Sequence, residues 1–414
     1  MQGDIKEPRF DNQKPAPKPK PMEYNTGQRP DIEISDQDLE APEAKRSILK
    51  SPHKHFKRFW NFWLGLNRLE RSALVLGILL IIGAGTLGYI YFLRPDPAPP
   101  VVHAAAKPKP KPPTTVPSPL TGLPIDPALA KRPVTGIMIE NSVYARPQSG
   151  LQDAGVVYEA VAEGGITRFM SLFQDAQPQY IGPVRSLRPY YIDFAAPFQA
   201  SIVHVGGSPD ALGEVRSGNY RDLDQFFNSG AFSRVSTRAA PHNVYTSFAK
   251  LDSLNQAKGF TSSLYTTWPR KADKKIAVPT AKTIDLAISG PDFYVHYDYD
   301  AASNSYMRSE GGAPHMELVS ADDKTGVRLH PKTVIALVMA YSIAGDGQHS
   351  IYQDNGSGTA YIFQDGGATV GTWEKTDTAS QISFKDDKGL PIKLNAGQVW
   401  LTLVGGSNKV TYKP

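Results

Sequence analysis

Ser72-Ala-Leu-Val-Leu-Gly-Ile-Leu-Leu-Ile-Ile-Gly-Ala-Gly-Thr-Leu-Gly-Tyr-Ile-Tyr-Phe-Leu93 contains no charged side chain. Crossing the hydrocarbon core of a bilayer takes about 20 apolar residues, so this stretch is long enough to span it. Secretory signals have shorter apolar regions behind short basic leaders, whereas here a long polar tail comes first, so the reading is an uncleaved anchor. Lys45, Arg46, Lys50, Lys54, Lys57, Arg58, Arg68 and Arg71 precede the span, and Arg94 is the basic residue close behind it. That asymmetry predicts a single-pass protein of the cell membrane, with the N-terminus cytoplasmic and everything after the span extracytoplasmic.

Working outward, residues 55–71 place Phe56, Phe59, Trp60, Trp63 and Leu66 at helical spacing among Lys57, Arg58, Arg68 and Arg71. Aromatic rings at headgroup depth and cations toward anionic lipid predict an interfacial amphipathic helix. Tyr89 and Tyr91 supply aromatic residues at the opposite interface. Ala73/Gly77 and Ala84/Gly88 are small-residue pairs four apart, read as small residues tolerated in any span. Residues 1–54 read as a disordered cytoplasmic tail and 94–119 as a linker. Each carries a Pro/Lys tract, Lys14 to Pro21 and Lys107 to Pro113, that favours stiff polyproline II over a packed core.

Charge follows the same partition. Residues 1–71 carry 14 basic and 11 acidic side chains, 94–119 carry 4 and 1, and 120–414 carry 27 and 28. The outer part is therefore almost neutral, against the basic face that non-specific nucleic-acid binding needs, and no nucleic-acid partner is expected. There is no cysteine. Disulfide scaffolding, a Cys nucleophile and an acylated N-terminal Cys are thus all excluded for these residues.

From Pro119 the texture becomes short β-type runs, at Val134–Glu140, Val156–Val161, Thr167–Phe173 and Ser201–Val205. Helical stretches at Leu187–Phe198, Pro209–Ser217 and Phe248–Lys258 fit between or after them. From about Lys282 strands dominate. The expected fold is α+β: a mixed α/β domain over 120–275, then a smaller, mostly β domain over 276–414, preceded by the disordered tail and one transmembrane helix.

Chemistry-bearing residues gather at a few places. Glu163-Gly-Gly-Ile-Thr-Arg168 puts a carboxylate and a guanidinium around a glycine turn. Gly182-Pro-Val-Arg185-Ser-Leu-Arg188 sets two arginines three apart, a fork for carboxylate or phosphate. His204-Val-Gly206-Gly207-Ser208 runs from a strand into a helix whose first amides suit an anion. Arg238-Ala-Ala-Pro-His242-Asn243 adds a cation, an imidazole and an amide. Candidate ligand contacts are therefore Arg168, Arg185, Arg188, His204, Gly206, Gly207, Arg238, His242 and Asn243, and candidate catalytic groups are Glu163, His204 and His242. Without an HExxH or a close His/Asp/Glu set, no metal site and no cofactor are expected.

Several ordered runs, Arg132-Pro-Val-Thr-Gly-Ile-Met-Ile-Glu-Asn141, Ala145-Arg-Pro-Gln-Ser-Gly-Leu151, Val157-Tyr-Glu159, Glu163–Arg168, Gly182–Ser186, Pro241-His-Asn243, Tyr306-Met-Arg308 and Gly397-Gln-Val-Trp400, resemble the YerB family of bacterial lipoproteins, a domain family of unknown function. The likeness covers residues 117–414. It implies an N-terminal plus a C-terminal domain and an envelope location, but no reaction. Lipoprotein members are tethered by an acylated Cys; here the apolar span stands in that place.

The favoured expectation is a membrane-anchored cell-envelope protein that binds an anionic or polyhydroxylated ligand, either a wall or surface polymer or a partner of the wall machinery. A hydrolase or transferase of envelope polymers using Glu163, His204 and His242 as proton movers stays open, as does a membrane-linked structural scaffold.

Overall fold

The computed structural model describes residues 53–93 and 114–414. Residues 1–52 of the tail expected over 1–54 and 94–113 of the linker expected over 94–119 lie outside the described residues; within the linker span, Val116–Pro117 pairs with Pro124–Ile125 as a short strand, so the folded part begins before 120. The chain divides into two units, 1–107 and 108–414.

In the first unit, α1 (His53–Gly65) and α2 (Arg68–Gly88) are separate helices, and Tyr89–Leu93 continues α2 as a π-helical turn. Asn67 breaks the chain between them. Its Oδ1 accepts from the Glu70 amide at 2.9 Å, and its own amide donates to Glu70 Oε2 at 2.8 Å. This reciprocal box satisfies two otherwise orphan donors of α2. The interfacial helix expected over 55–71 is corrected accordingly: it stops at Gly65, and Arg68 and Arg71 open the next helix because Asn is a better cap than a helix interior residue. Arg71 then reaches back, donating to the Trp63 and Leu64 carbonyls at 3.1 and 3.0 Å, which places a cation on the carbonyl end of α1. The most apolar 18 residues of Arg68–Phe92 have a mean hydropathy of 2.3, and at 1.5 Å per residue the whole helix is roughly 37 Å long, enough to cross a membrane. None of the α2 side chains is buried by protein.

In the second unit, fourteen strands make two sheets. They are β1 (Thr135–Glu140), β2 (Val156–Glu163), β3 (Ile166–Phe173), β4 (Ser201–His204), β5 (Arg221–Asp224), β6 (Thr283–Ala287) and β7 (Tyr294–Asp300), followed by β8 (Ser305–Glu310), β9 (Thr333–Val338), β10 (Gly356–Gln364), β11 (Gly367–Lys375), β12 (Ser383–Lys385), β13 (Val399–Val404) and β14 (Val410–Lys413). The large sheet has ten strands in the order β12-β11-β10-β9-β13-β2-β3-β1-β4-β5. A smaller sheet runs β8-β7-β6-β14, with the short pair Ala313–Pro314 outside β8.

The strand order runs across the expected boundary at 275/276. β13 lies parallel to β2, with Val399 opposite Val156 and Trp400 opposite Val157, and parallel to β9 on its other side. Residues from both halves thus share one sheet, and 108–414 is one compact unit. The coarse class, mixed α and β, stands. Periodicity identifies strands but not their partners, and strand pairing here is long-range.

Side-chain alternation sorts the core. Met138, Tyr158, Met170, Leu172, Ile335 and Leu401 face one side of the large sheet, under α3 (Pro189–Ala195) and α4 (Pro209–Ser217). Ile137, Ile139, Phe169, Phe173 and Trp400 face the other, with Phe248 and Leu251 of α5 (Phe248–Ala257). Beyond them Val161, Val334, Ala336 and Phe363 pack on Ile284, Val295, Tyr297 and Tyr306 of the smaller sheet. The α4 boundaries match the sequence expectation: Ser208 Oγ accepts from the Ala211 amide at 3.4 Å, with Pro209 in the first turn.

Candidate functional site

β1, β4 and β5 run parallel and end on one edge of the sheet, at Glu140, His204 and Asp224. In open α/β sheets this carboxyl edge is where ligands are held. The segment Pro183–Leu187 threads between the ends of β1 and β4: the Arg185 amide donates to the Met138 carbonyl at 2.9 Å, and the Val205 amide donates to the Arg185 carbonyl at 3.0 Å. The same edge therefore carries the Arg185 loop and the strand-end candidate His204.

Glu163 ends β2 in a two-residue turn, Gly164-Gly165, with φ of +56° and +79°, a conformation that glycine adopts without a Cβ penalty. Glu163 Oε1 accepts from Arg168 Nη2 at 2.5 Å and Oε2 from Arg188 Nη2 at 2.6 Å. The two guanidinium groups also donate to the Ser186 and Leu187 carbonyls at 2.8 and 2.6 Å. Burial pushes the Glu163 carboxyl up, but the charges and hydrogen bonds of Arg168 and Arg188 outweigh it and hold it below its ordinary value. The fork predicted for a ligand carboxylate is filled by the chain's own, and Arg168 and Arg188 are buried.

His204 is fully buried. Its Nδ1 meets the Gly206 carbonyl at 2.8 Å and its Nε2 meets Asp222 Oδ1 at 2.9 Å. Both partners only accept, so the ring is satisfied at both nitrogens as a double donor. The Gly206 amide donates to Asp224 Oδ1 at 3.0 Å and the Ser208 amide to the Leu187 carbonyl at 3.2 Å. These amides, read from sequence as an anion seat with Gly207, are used inside the fold. Asn243 is also turned inward, accepting from Arg234 at 2.7 Å and donating to the Val235 carbonyl at 3.3 Å.

Arg185, Arg238 and His242 are placed differently. His242 Nδ1 lies 2.8 Å from Glu140 Oε1, which also accepts from Ser142 Oγ at 2.9 Å and has Arg185 Nε at 3.5 Å. Glu140 is buried; it is the member of this group that sequence reading did not single out. His242 lines a cleft of about 620 Å³ with Tyr144, Arg146, Tyr180, Arg238, Leu318 and Lys324 among its walls. Arg238 donates to the Tyr144, Arg146 and Pro147 carbonyls, the first at 3.0 Å. The carbonyls and the Tyr245 phenol that Arg238 meets are neutral, and among the described residues no ion pair includes it, whereas Arg146 has Glu310 at 3.3 Å; Asp323 is the carboxylate on the same cleft wall. Tyr144 to His242 come from the first half of the unit and Leu318 to Lys324 from the second, so both halves build one cleft.

The family described as Protein of unknown function (DUF3048) N-terminal domain matches residues 120–261, and its C-terminal domain matches 284–401. The Bacillus subtilis (strain 168) protein named "Putative lipoprotein YerB" is 31% identical over 259 residues, 61% of this chain and 75% of that protein. The chain belongs to the DUF3048 family. The crystal structure of YerB protein from Bacillus subtilis superposes with a TM-score of 0.64 at 26% identity, covering 72% of this chain and all of that one. The family resemblance read from sequence is thus shown, with its two-part organisation.

The runs that carry the DUF3048 likeness meet in a buried polar network between the two sheets. Arg308 donates to Glu159 Oε1 at 2.8 Å, to Tyr297 Oη at 2.7 Å and, through Nε, to His315 Nδ1 at 2.9 Å, and its guanidinium lies 4.5 Å from the Trp400 ring centre. Trp400 Nε1 donates to Glu159 Oε2 at 3.0 Å. His315 Nε2 donates in turn to Gln148 Oε1 at 2.9 Å. Burial, followed by the Arg308 and Arg146 charges, holds the His315 ring well below its ordinary value, so it is neutral there. Glu310, pushed up by burial and by Glu159 against the pull of Arg308, connects this network through Arg146 to the cleft wall.

Proposed function

We propose that this DUF3048 protein is a cell-envelope protein, anchored by α2 with residues 114–414 outside the membrane, whose cleft binds an anionic or polyhydroxylated envelope polymer. The observation that carries the reading is Arg238: a cleft-lining guanidinium that meets main-chain carbonyls and the Tyr245 phenol, with no carboxylate paired to it among the ion pairs of the described residues. An uncompensated cation beside exposed Lys324 favours a negative ligand, and the faces of Tyr144 and Tyr180 suit sugar rings packed against them. His242 remains as a ligand contact on that cleft wall, and Arg185 stands behind it, 3.5 Å from Glu140. Arg168, Arg188, His204 and Asn243, engaged inside the fold, support the geometry from behind. The lipoprotein name of the relative and the apolar helix both favour membrane attachment, and the basic flank before Ser72 favours the stated orientation.

The test is co-sedimentation of the full detergent-solubilised chain with bacterial sacculi that either carry or have been stripped of their covalently attached anionic polymer. Retention on the first and loss on the second is the expected result. Equal retention on both would assign binding to the neutral glycan and remove the anionic reading.

A further inference from the structure

The cleft contains one pair of side chains that binding leaves unexplained. Glu140 is 3% exposed, its Oε1 lies 2.8 Å from His242 Nδ1, and its Oε2 is buried without a hydrogen-bond partner. A carboxylate at Nδ1 fixes the hydrogen on that nitrogen and leaves Nε2 as the basic atom. Nε2 has no protein partner among the hydrogen bonds of the described residues, and the ring lines the cleft. An imidazole with 20% of its side chain exposed, oriented from behind by a buried carboxylate, is the arrangement of a general base, and purely electrostatic binding has no use for it.

We propose that the Glu140–His242 pair makes this cleft a hydrolytic centre for a phosphodiester of the polymer bound there. The inference rests on the binding reading above. In the step, His242 Nε2 takes a proton from a water molecule as the water oxygen forms a bond to phosphorus. The bond from phosphorus to the bridging alcohol oxygen breaks on the opposite side, that oxygen takes a proton from solvent, and His242 gives its proton up to solvent. Water is consumed, a phosphomonoester and a free hydroxyl are formed, and no redox partner is needed. A phosphodiester matches the walls for two reasons. It stays anionic throughout the neutral range, which suits the unpaired charge of Arg238, and its non-bridging oxygens gain charge as water attacks, where Arg238 and Lys324 neutralise it. His242 is the catalytic residue. Glu140 acts through it as a positioning residue, holding the tautomer and stabilising the imidazolium. Ser142 Oγ bonds Glu140 and sits 3.4 Å from Nδ1, the nitrogen turned away from the cleft chemistry, so it is not placed as a nucleophile.

The experiment incubates the full chain in detergent with sacculi carrying their anionic polymer and reads new phosphomonoester ends alongside co-sedimentation and thermal melting. The wild type generates ends. His242→Gln, whose amide keeps a hydrogen-bonding group on the cleft wall, loses about 100-fold or more of that rate while still co-sedimenting, if more weakly, and melting as the wild type does. Glu140→Gln lowers kcat with KM retained, a split that a purely structural role would not produce. A wild type that co-sediments yet makes no phosphomonoester ends overturns the hydrolytic inference and leaves binding intact, as does a His242→Gln chain that turns over at the wild-type rate. Loss of co-sedimentation by the wild type removes the binding reading itself, and this inference with it.

Discussion

Glu163 stands 2.5 and 2.6 Å from two guanidinium groups that are themselves almost wholly buried, with side-chain exposures of 2% for Arg168 and 6% for Arg188. Its role is to keep two like charges together at the sheet edge, so Glu163→Gln leaves both arginines without a counter-ion. Fully buried pairs broken on one side cost about 3–5 kcal/mol; Glu163 is a quarter exposed, which brings the expected loss to about 2 kcal/mol. Its folded-state carboxyl titrates below the ordinary value of 4.5. The unfolded chain therefore takes up this proton first as pH falls, and the stabilisation, present in full above 4.5, disappears as pH drops through the lower folded value. Melting curves between pH 7 and pH 3 should show that acid loss in the wild type and a shallower one in Glu163→Gln. Parallel curves would mean that the carboxylate is not the counter-ion of the two arginines. His204, satisfied at both ring nitrogens, belongs to the same internal frame.

At the scale of elements, Arg308 on β8 and Glu159 on β2 join the two sheets through one fully buried ion pair. Replacing Arg308 with Leu strands the Glu159 charge in the interior and should cost about 3–5 kcal/mol. Adding Glu159→Leu to that chain should return most of the loss, because desolvation of the pair offsets much of its attraction. Denaturant unfolding of the three proteins checks this; equal stability of the single and double variants would contradict it. Elements were legible in sequence where local chemistry decides them: α4 through Ser208-Pro209 and the β2–β3 hairpin through Gly164-Gly165. β5, Arg221-Asp-Leu-Asp224, is a strand only because β4 lies beside it, and its one apolar side chain gives no period to read. Glu140 escaped for a related reason. It ends an ordinary strand, and its partner His242 lies 102 positions away.

For the whole molecule, the order β9-β13-β2 explains why the parts seen in sequence as two domains act as one body. The cleft then draws Tyr144, Arg238 and His242 from the first part and Leu318 and Lys324 from the second. The DUF3048 runs converge on the same place, some at the cleft and others in the network behind it. The relative named a putative lipoprotein and the helix Arg68–Phe92, long and apolar enough to cross a membrane, agree with the membrane attachment proposed above. The central claim is that this cleft selects negative charge. It is tested most directly by the affinity of the full chain for polymer-bearing sacculi when exposed Lys324 is changed to Glu, measured beside the melting temperature. The account predicts at least a tenfold weakening, steepest at low salt, with melting within about 2 °C of the wild type. Undiminished affinity in a normally folded Lys324→Glu chain would contradict it.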